Sequence, residues 1–356
     1  MIYNIIFIYI ICFIIFPVTI FFKTKIRKKE LYNEFPEKND TLFMRGVAAL
    51  SIVIAHYVLL GMENYSIVGP ITIYKWAGGI GVCIFFFCSG YGLCQSSQNK
   101  GMKNFLWKRM KGILPTYWII RLISAILLLK YKEGFLFFLL YVLGIKEQAW
   151  FITEILIVYL LFFISFKISC RFQITVMSVL LLIMSCVFWR MGLEARWYNA
   201  NMVFILGMVL SKYRSSVLSV LKKYYWLLLS FFLMGLLFLT IVFYKANNIQ
   251  IIHDIIKLPV GGIICILFIL VLMKLELSSP FILFFGKYSL ELYIIHITVW
   301  QVAENLKLNL TYQIRFITCV CVSLICVLIY SAVKKLLIGA HIRRIEDKNN
   351  NKDKLN

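Results

Sequence analysis

Residues 43–57 read FMRGVAALSIVIAHY, an apolar segment with an arginine near one end and a histidine near the other. In a helix, the eleven steps from Arg45 to His56 bring both side chains to one face, separated by roughly 16 Å along the axis. Ionisable groups inside a membrane are expensive and by default mark function. The segment therefore predicts a transmembrane helix that carries functional groups at two depths.

The rest of the chain has the composition of a membrane protein. Of its 356 residues, 62% are hydrophobic, and the mean hydropathy is +0.85. Uncharged runs recur at about 20 residues, the length that a helix needs to cross the hydrocarbon core. We predict an all-α fold, a polytopic membrane helical bundle.

The apolar runs divide the chain into three parts: an N-terminal anchor at 1–22, a membrane domain at 41–333 and a basic tail at 334–356. The apolar stretch 135–145 is too short to span at 1.5 Å per residue, and we predict a re-entrant segment there. About ten core spans are expected, at residues 46–60, 77–95, 113–130, 150–166, 174–189, 199–211, 225–244, 258–273, 281–301 and 313–333.

Basic residues cluster in the connections between spans. Residues 99–111 contain five basic residues and 211–223 contain four, with no acidic residue in either. The positive-inside rule places these loops and the C-terminal tail in the cytoplasm of a multi-pass plasma-membrane protein. This placement accounts for the net charge of +22 without a nucleic-acid partner, and it predicts contact with anionic membrane lipids.

The ten cysteines do not predict a metal site. They include no CxxC pair, and most lie in apolar runs, where cysteine is usually a small buried hydrophobe. The group Cys319, Cys321 and Cys326 has no histidine or acidic neighbour that could complete a ligand set.

Polar residues of the span 281–301 are candidates to join Arg45 and His56. Ser289, Tyr293 and His296 follow an i, i+4, i+7 pattern and therefore share a face. Glu291 lies on the opposite face, where Lys287 can pair with it. A role for His296 in helix packing alone is an equal alternative.

Two other spans contain polar candidates. Trp150 and Glu154 share a face, and Glu154 could orient a histidine or neutralise Arg121 of the neighbouring span. Ser89 and Tyr91 lie in a segment rich in small residues. Close helix packing explains that segment more simply than a substrate channel does.

Residues 105–115, FLWKRMKGILP, form a basic cluster that leads into a helix whose first turn suits Pro115. A plain cytoplasmic anchor would explain the charges. The alternative is an anion site for a phosphate-bearing donor, formed by Lys108, Arg109 and Lys111 together with Arg45 on the same membrane face.

Four segments, in order, resemble acyltransferase family 3 of the membrane acyltransferases. They are Arg45-x10-His56, the FFxxSGY segment ending at Tyr91, the W-F-x-x-E segment Trp150–Glu154 and the S-x-x-x-Y-x-x-H segment Ser289–His296. The resemblance covers roughly residues 41–333. Two features depart from it, since Gly112 stands where the family usually has an arginine, and the anchor 1–22 is additional.

The resemblance implies an O-acetyltransferase reaction without a bound cofactor. Acyl-CoA, commonly acetyl-CoA, would donate from the cytoplasm to a hydroxyl of an extracytoplasmic cell-surface carbohydrate or its lipid-linked precursor. His56 would act as general base or as a transient acyl carrier. The remaining expected roles are donor binding by Arg45, Lys108, Arg109, Lys111 and Arg121, orientation by Glu154, Ser289 and His296, and an acceptor path along Ser89, Tyr91, Trp150, Ser289 and Tyr293.

Some members of that family carry a C-terminal extracytoplasmic esterase-like domain, and we expect none in this chain. The resemblance therefore implies that any later transfer or glycan-assembly step needs a separate protein partner. A transporter or flippase for a lipid-linked sugar or anionic solute would also hide Arg, His and Glu in its spans, although no paired repeat is evident. An inactive scaffold for glycan assembly is a third interpretation.

Overall fold

The computed structural model describes residues 2–27, 31, 36–65, 77–147, 150–245, 250–307 and 309–353, nearly all of them in helices. The helices are α1 (Ile2–Ile10), α2 (Phe16–Phe21), α3 (Lys38–Tyr65), α4 (Ala77–Lys100), α5 (Phe105–Leu127), α6 (Phe135–Leu143), α7 (Trp150–Ile168), α8 (Gln173–Arg190), α9 (Val203–Lys212), α10 (Arg214–Lys223), α11 (Tyr225–Lys245), α12 (Gln250–Lys274), α13 (Pro280–Lys287), α14 (Ser289–Asn305) and α15 (Tyr312–Asp353). Two strands, β1 (Lys25–Ile26) and β2 (Leu275–Glu276), form one short antiparallel pair.

The helices confirm the predicted polytopic bundle. In the described part of the chain, nine are long and apolar enough to cross a membrane, and two bent pairs raise the number to as many as eleven. One bent pair is α9 with α10, at 97°, and the other is α13 with α14, at 83°. The predicted span 281–301 is therefore broken, because the backbone at Tyr288 leaves the helical region.

Helix α6 occupies the stretch predicted to be re-entrant. It has nine residues, a length of about 13 Å, which is under half of the hydrocarbon thickness. Helix α5 begins at Phe105 and contains Pro115 in its interior, so the expected helix start at Pro115 is wrong.

Helix α3 lies at the centre of the bundle and packs against α4, α13, α14 and α15. Two glycines bring α3 and α13 into backbone contact: a Cβ at Gly46 would meet the Ile282 carbonyl, and a Cβ at Gly286 would meet the Leu42 carbonyl. Small residues of this kind allow close approach between membrane helices, where no hydrophobic effect drives association. The contact fixes α13, and with it the start of α14, beside Arg45.

The N-terminal segment contacts the rest of the bundle both near its start and after its last helix, α2. Phe7 of α1 packs edge-on against Phe316 of α15, with ring centroids 5.5 Å apart. After α2, the strand β1 pairs with β2, and the Ser278 hydroxyl donates a 2.9 Å hydrogen bond to the Lys23 carbonyl. The segment predicted as an anchor is thus tied to the connection that precedes α13.

We expect Gly286→Ala to destabilise the protein, because the added methyl group would overlap the Leu42 carbonyl and push α13 from α3. Overpacking of this kind costs about 1–3 kcal/mol. Thermal unfolding of the purified protein in nanodiscs would measure the loss. Gly262→Ala in α12 is the control, because a Cβ there meets no atom within 4 Å. Equal melting temperatures for the two variants would contradict the packing argument.

Candidate active site

The two intramembrane histidines meet across α3 and α14. His56 Nδ1 lies 2.7 Å from His296 Nε2. The ring centroids are 5.0 Å apart and the planes differ by 9°. The centroid distance exceeds the nitrogen distance by about the sum of the two ring radii. The rings therefore lie edge to edge in nearly one plane. This is the geometry of a direct N–H···N hydrogen bond.

The backbone of α14 determines which nitrogen of each ring carries a proton. His296 Nδ1 lies 2.9 Å from the Leu292 carbonyl, which can only accept, so Nδ1 carries the proton. In neutral imidazole the other nitrogen is then an acceptor. His296 Nε2 therefore accepts from His56 Nδ1–H, and His56 Nε2 keeps its lone pair.

The environments of the two rings differ. His296 is fully buried, and Tyr57 donates a 3.1 Å hydrogen bond to its carbonyl. His56 is only half-buried, because it lines a cavity of about 460 Å³, which we name the His56 cavity. The cavity wall consists of Ile52, Ala55, His56, Leu59, Gly78, Gly79, Ile80, Val82, Cys83, Trp150, Arg196, Asn199, Ala200, Leu236, Leu239, Thr240, Phe243, Ile256, Lys257, Val260, Ile264 and Tyr293.

A second cavity, of about 420 Å³, lies at the Arg45 level of α3, and we name it the Arg45 cavity. Arg45 Nη2 donates a 2.8 Å hydrogen bond to the Ser289 hydroxyl, at the first residue of α14. The cavity is lined by Thr41, Arg45, Phe85, Cys88, Ser89, Gly92, Leu93, Lys108, Arg109, Gly112, Ile113, Phe151, Ile152, Ile155, Tyr159, Ser289, Leu290 and Tyr293. Three cationic side chains thus surround one pocket.

Tyr293 lines both cavities. Its ring packs edge-on against Phe151, with centroids 5.4 Å apart, and lies 6.1 Å from the His296 ring. A pocket rich in cations and a pocket that contains a histidine lone pair therefore adjoin at one aromatic side chain. This arrangement suits transfer of a group from an anionic donor to an acceptor on the other side.

Comparison with known proteins identifies the family. A family model described as an acyltransferase domain, of the acyltransferase 3 family, matches residues 43–332. The chain belongs to this family. It is a multi-pass membrane acyltransferase, and this membership favours acyl transfer over the transport and scaffold interpretations. No curated protein and no solved structure matches the chain.

The structure corrects two expectations about the partners of charged residues in the acyltransferase. Glu154 contacts neither a histidine nor Arg121 in the described part of the chain: it is fully buried, and its Oε1 accepts a 3.3 Å hydrogen bond from Asn201. Glu291 lies 3.4 Å from Lys334 rather than pairing with Lys287. Both errors arise because a partner from another part of the chain, Asn201 in the connection before α9 or Lys334 in α15, cannot be seen from spacing along one helix.

Arg121 does not line the Arg45 cavity, so the geometry brings no support for the donor role predicted for it. Its Nε and Nη2 donate to the Tyr141 carbonyl at 3.0 and 2.6 Å, and Nη1 donates to the Glu147 carbonyl at 3.1 Å. Twelve residues separate it from Arg109, about 18 Å along α5. Arg121 instead fixes the turn after α6.

The basic cluster at the start of α5 divides between the cavity and the surface. Lys108 and Arg109 line the Arg45 cavity, whereas Lys111 is exposed and does not. Gly112 does line it, and a Cβ there would meet no atom within 4 Å. Where the family usually has an arginine, this acyltransferase has open space.

The remaining predicted residues are divided among the Arg45 cavity, a cavity beside it and the His56 cavity. Ser89 lies in the Arg45 cavity, 3.4 Å from the Tyr159 hydroxyl. Tyr91 lines an adjoining cavity of about 650 Å³ and donates to the Pro36 carbonyl at 3.0 Å. Only Trp150 and Tyr293, of the five expected along an acceptor path, line the His56 cavity.

Sequence reasoning missed several residues of the His56 cavity. Arg196 and Asn199 lie in the connection between α8 and α9, and Lys257 lies in the first part of α12. None belongs to a periodic pattern that marks a face, so only the charges of Arg196 and Lys257 could have indicated this part of the cavity. No group of three or more His, Cys, Asp or Glu in the described residues could hold a metal ion.

Selective ¹⁵N-histidine NMR of the protein in nanodiscs tests the proton assignment. We expect protonated Nδ1 and unprotonated Nε2 on both His56 and His296 at neutral pH, because the Leu292 carbonyl fixes the pattern. His56→Gln and His296→Gln would assign the signals. A proton on His56 Nε2 in the unliganded protein would contradict the assignment.

Proposed function

We propose that this acyltransferase moves an acetyl group from cytoplasmic acetyl-CoA to a hydroxyl of an extracytoplasmic cell-surface carbohydrate or its lipid-linked precursor. The observation that carries the proposal is the pair of cavities that adjoin at Tyr293, one with three cationic side chains and one with the lone pair of His56. Each cavity supplies what one substrate needs. The protein would act in the plasma membrane.

The Arg45 cavity suits the anionic end of the donor. Arg45, Lys108 and Arg109 are the residue types that bind phosphates most strongly. Ser289 and Leu290, the first residues of α14, also line this cavity, and the start of a helix favours negative charge. The basic connections α4–α5 and α9–α10 lie at this end, which the positive-inside rule assigns to the cytoplasm, together with the C-terminus.

The thioester would extend from this cavity past Tyr293 toward His56. Arg45 and His56 are separated by about 16 Å along α3, a gap that the extended pantetheine arm of coenzyme A would bridge. Holding donor and acceptor on either side of one residue also replaces a bimolecular encounter by a positioned one. Tyr293 and Phe151 then form the aromatic wall beside the reacting carbonyl.

His56 would act as the general base. Its Nε2 takes the proton of the acceptor hydroxyl while the hydroxyl oxygen attacks the thioester carbonyl carbon. The tetrahedral intermediate collapses with cleavage of the carbon–sulfur bond. The imidazolium then returns its proton to the thiolate of coenzyme A. Histidine suits this exchange because a neutral imidazole can accept a proton at one ring nitrogen while the other nitrogen donates a hydrogen bond.

His296 would be a positioning residue in this scheme. Its hydrogen bond to His56 Nδ1 holds the ring with Nε2 toward the cavity, much as the third member of a catalytic triad orients its histidine. As Nδ1–H of His56 becomes more acidic in the imidazolium, the same bond strengthens. The acetylated product would leave on the outer side, toward any separate glycan-assembly partner.

We expect His56→Ala to lower acetyl transfer by about 10²–10⁴-fold, since it removes the base. The assay is release of free thiol from acetyl-CoA by protein in nanodiscs, together with mass spectrometry of surface glycans from cells that express the variant. His341→Ala serves as the matched histidine control. Wild-type thiol release and glycan acetylation by His56→Ala would remove the proposed role.

We also expect Lys108→Ala and Arg109→Ala each to raise the KM for acetyl-CoA by about tenfold or more, because hydrogen bonds to charged groups contribute about 1.5–3 kcal/mol. The kcat should change little, since these residues are remote from His56. Lys103→Ala is the control, an exposed lysine before the same helix that does not line the cavity. A KM equal to the control for both variants would exclude the donor site.

A further inference from the structure

The wall of the His56 cavity has an apolar part with helical regularity. Leu236, Leu239, Thr240 and Phe243 of α11 follow i, i+3, i+4, i+7 spacing, so one face of α11 lines the cavity. Apolar residues of α3 and α12 complete this part, namely Ile52, Leu59, Ile256, Val260 and Ile264. A water-soluble glycan would need hydrogen-bonding groups there instead.

The other side of α11 faces the lipid. None of the residues 226–243 of α11 is buried. The residues between the lining positions are exposed, Leu237 by 54% and Phe238 by 64%. Helix α11 packs mainly on α12. A single helix thus separates the cavity from the bilayer. The part of the cavity wall that α11 forms is largely apolar, like a lipid-facing surface.

Charge is concentrated at one end of the cavity. Lys257 lies near the start of α12, and Arg196 lies in the connection after α8, where it also pairs with Glu194. The start of α12 and the connection after α8 both lie at the opposite end of the bundle from the basic connections α4–α5 and α9–α10. Deeper in the bundle the wall is apolar, at Ile52, Leu236 and Ile264. The cavity therefore runs from cationic to apolar in the order in which an outer-leaflet lipid runs from headgroup to chain.

We infer that the His56 cavity takes its acceptor as a membrane lipid whose headgroup bears both a phosphate and the hydroxyl that is acylated. Its chain would lie along α11 and α12, its phosphate near Arg196 and Lys257, and its hydroxyl at His56 Nε2. The inference rests on the proposed function, and it selects a lipid-carried acceptor over a finished soluble or wall polymer.

Photo-crosslinking tests the site without acyl transfer. The probe is dodecyl phosphate with a diazirine on its chain, added to the protein in phosphatidylcholine nanodiscs, and labelled residues are mapped by mass spectrometry. We expect labels within 236–243 and 256–264. Unlabelled dodecyl phosphate should compete, whereas dodecanol and inorganic phosphate should compete poorly, because each lacks one half of the recognised structure.

Matched variants sharpen the result. Leu239→Trp fills the cavity and should lower labelling, whereas Leu237→Trp, two residues away on the lipid side, should not. Arg196→Gln with Lys257→Gln should weaken competition by dodecyl phosphate by about tenfold or more. Arg190→Gln is the control for charge, since Arg190 does not line this cavity.

Three results would overturn the inference. They are labelling that ignores both the cavity-filling and the charge variants, competition by dodecanol equal to that by dodecyl phosphate, and competition by inorganic phosphate equal to that by the lipid. Thiol release from acetyl-CoA that depends on His56 is measured in parallel. Its absence would count against acyl transfer itself, while the crosslinking result would still decide whether the cavity binds an anionic lipid.

Discussion

The hydrogen bond between His56 Nδ1 and His296 Nε2 is the contact on which the arrangement of the site depends. It joins α3 and α14 at one level, and the bond from Arg45 to Ser289 joins them at another. Along the helix axis, Arg45 and His56 are about 16 Å apart on α3, whereas Ser289 and His296 are about 10 Å apart on α14. The long side chain of Arg45 spans the difference.

The bend between α13 and α14 lets the chain form these two bonds and the Gly286 contact with α3 as well. A continuous helix through 280–305 could not place Gly286 against the α3 backbone and also run beside α3 as far as His296. The 83° break at Tyr288 satisfies both demands. It also puts the first turn of α14 in the wall of the Arg45 cavity, so the backbone contact at Gly46 and Gly286 positions Ser289 beside Arg45 and His296 beside His56.

Features that repeat along one helix could be predicted from the sequence. The spacing of Arg45 and His56, and that of Ser289, Tyr293 and His296, indicated shared faces, and the structure brings these faces together. The direct contact between the histidines could not be predicted, because it depends on the bend before Ser289. The partner expected for Glu154 was wrong for a different reason, because Asn201 approaches from an irregular connection between α8 and α9.

We propose that donor and acceptor meet beside Tyr293, with the reacting carbonyl at His56. A cryo-EM structure in nanodiscs with a non-hydrolysable thioether analogue of acetyl-CoA tests this claim most directly. We predict phosphate density among Arg45, Lys108 and Arg109, and the acyl carbonyl carbon in the His56 cavity, where an acceptor oxygen about 3–3.5 Å away could hydrogen-bond to His56 Nε2. An analogue bound with its phosphates outside the Arg45 cavity, or with its carbonyl away from His56, would contradict the account.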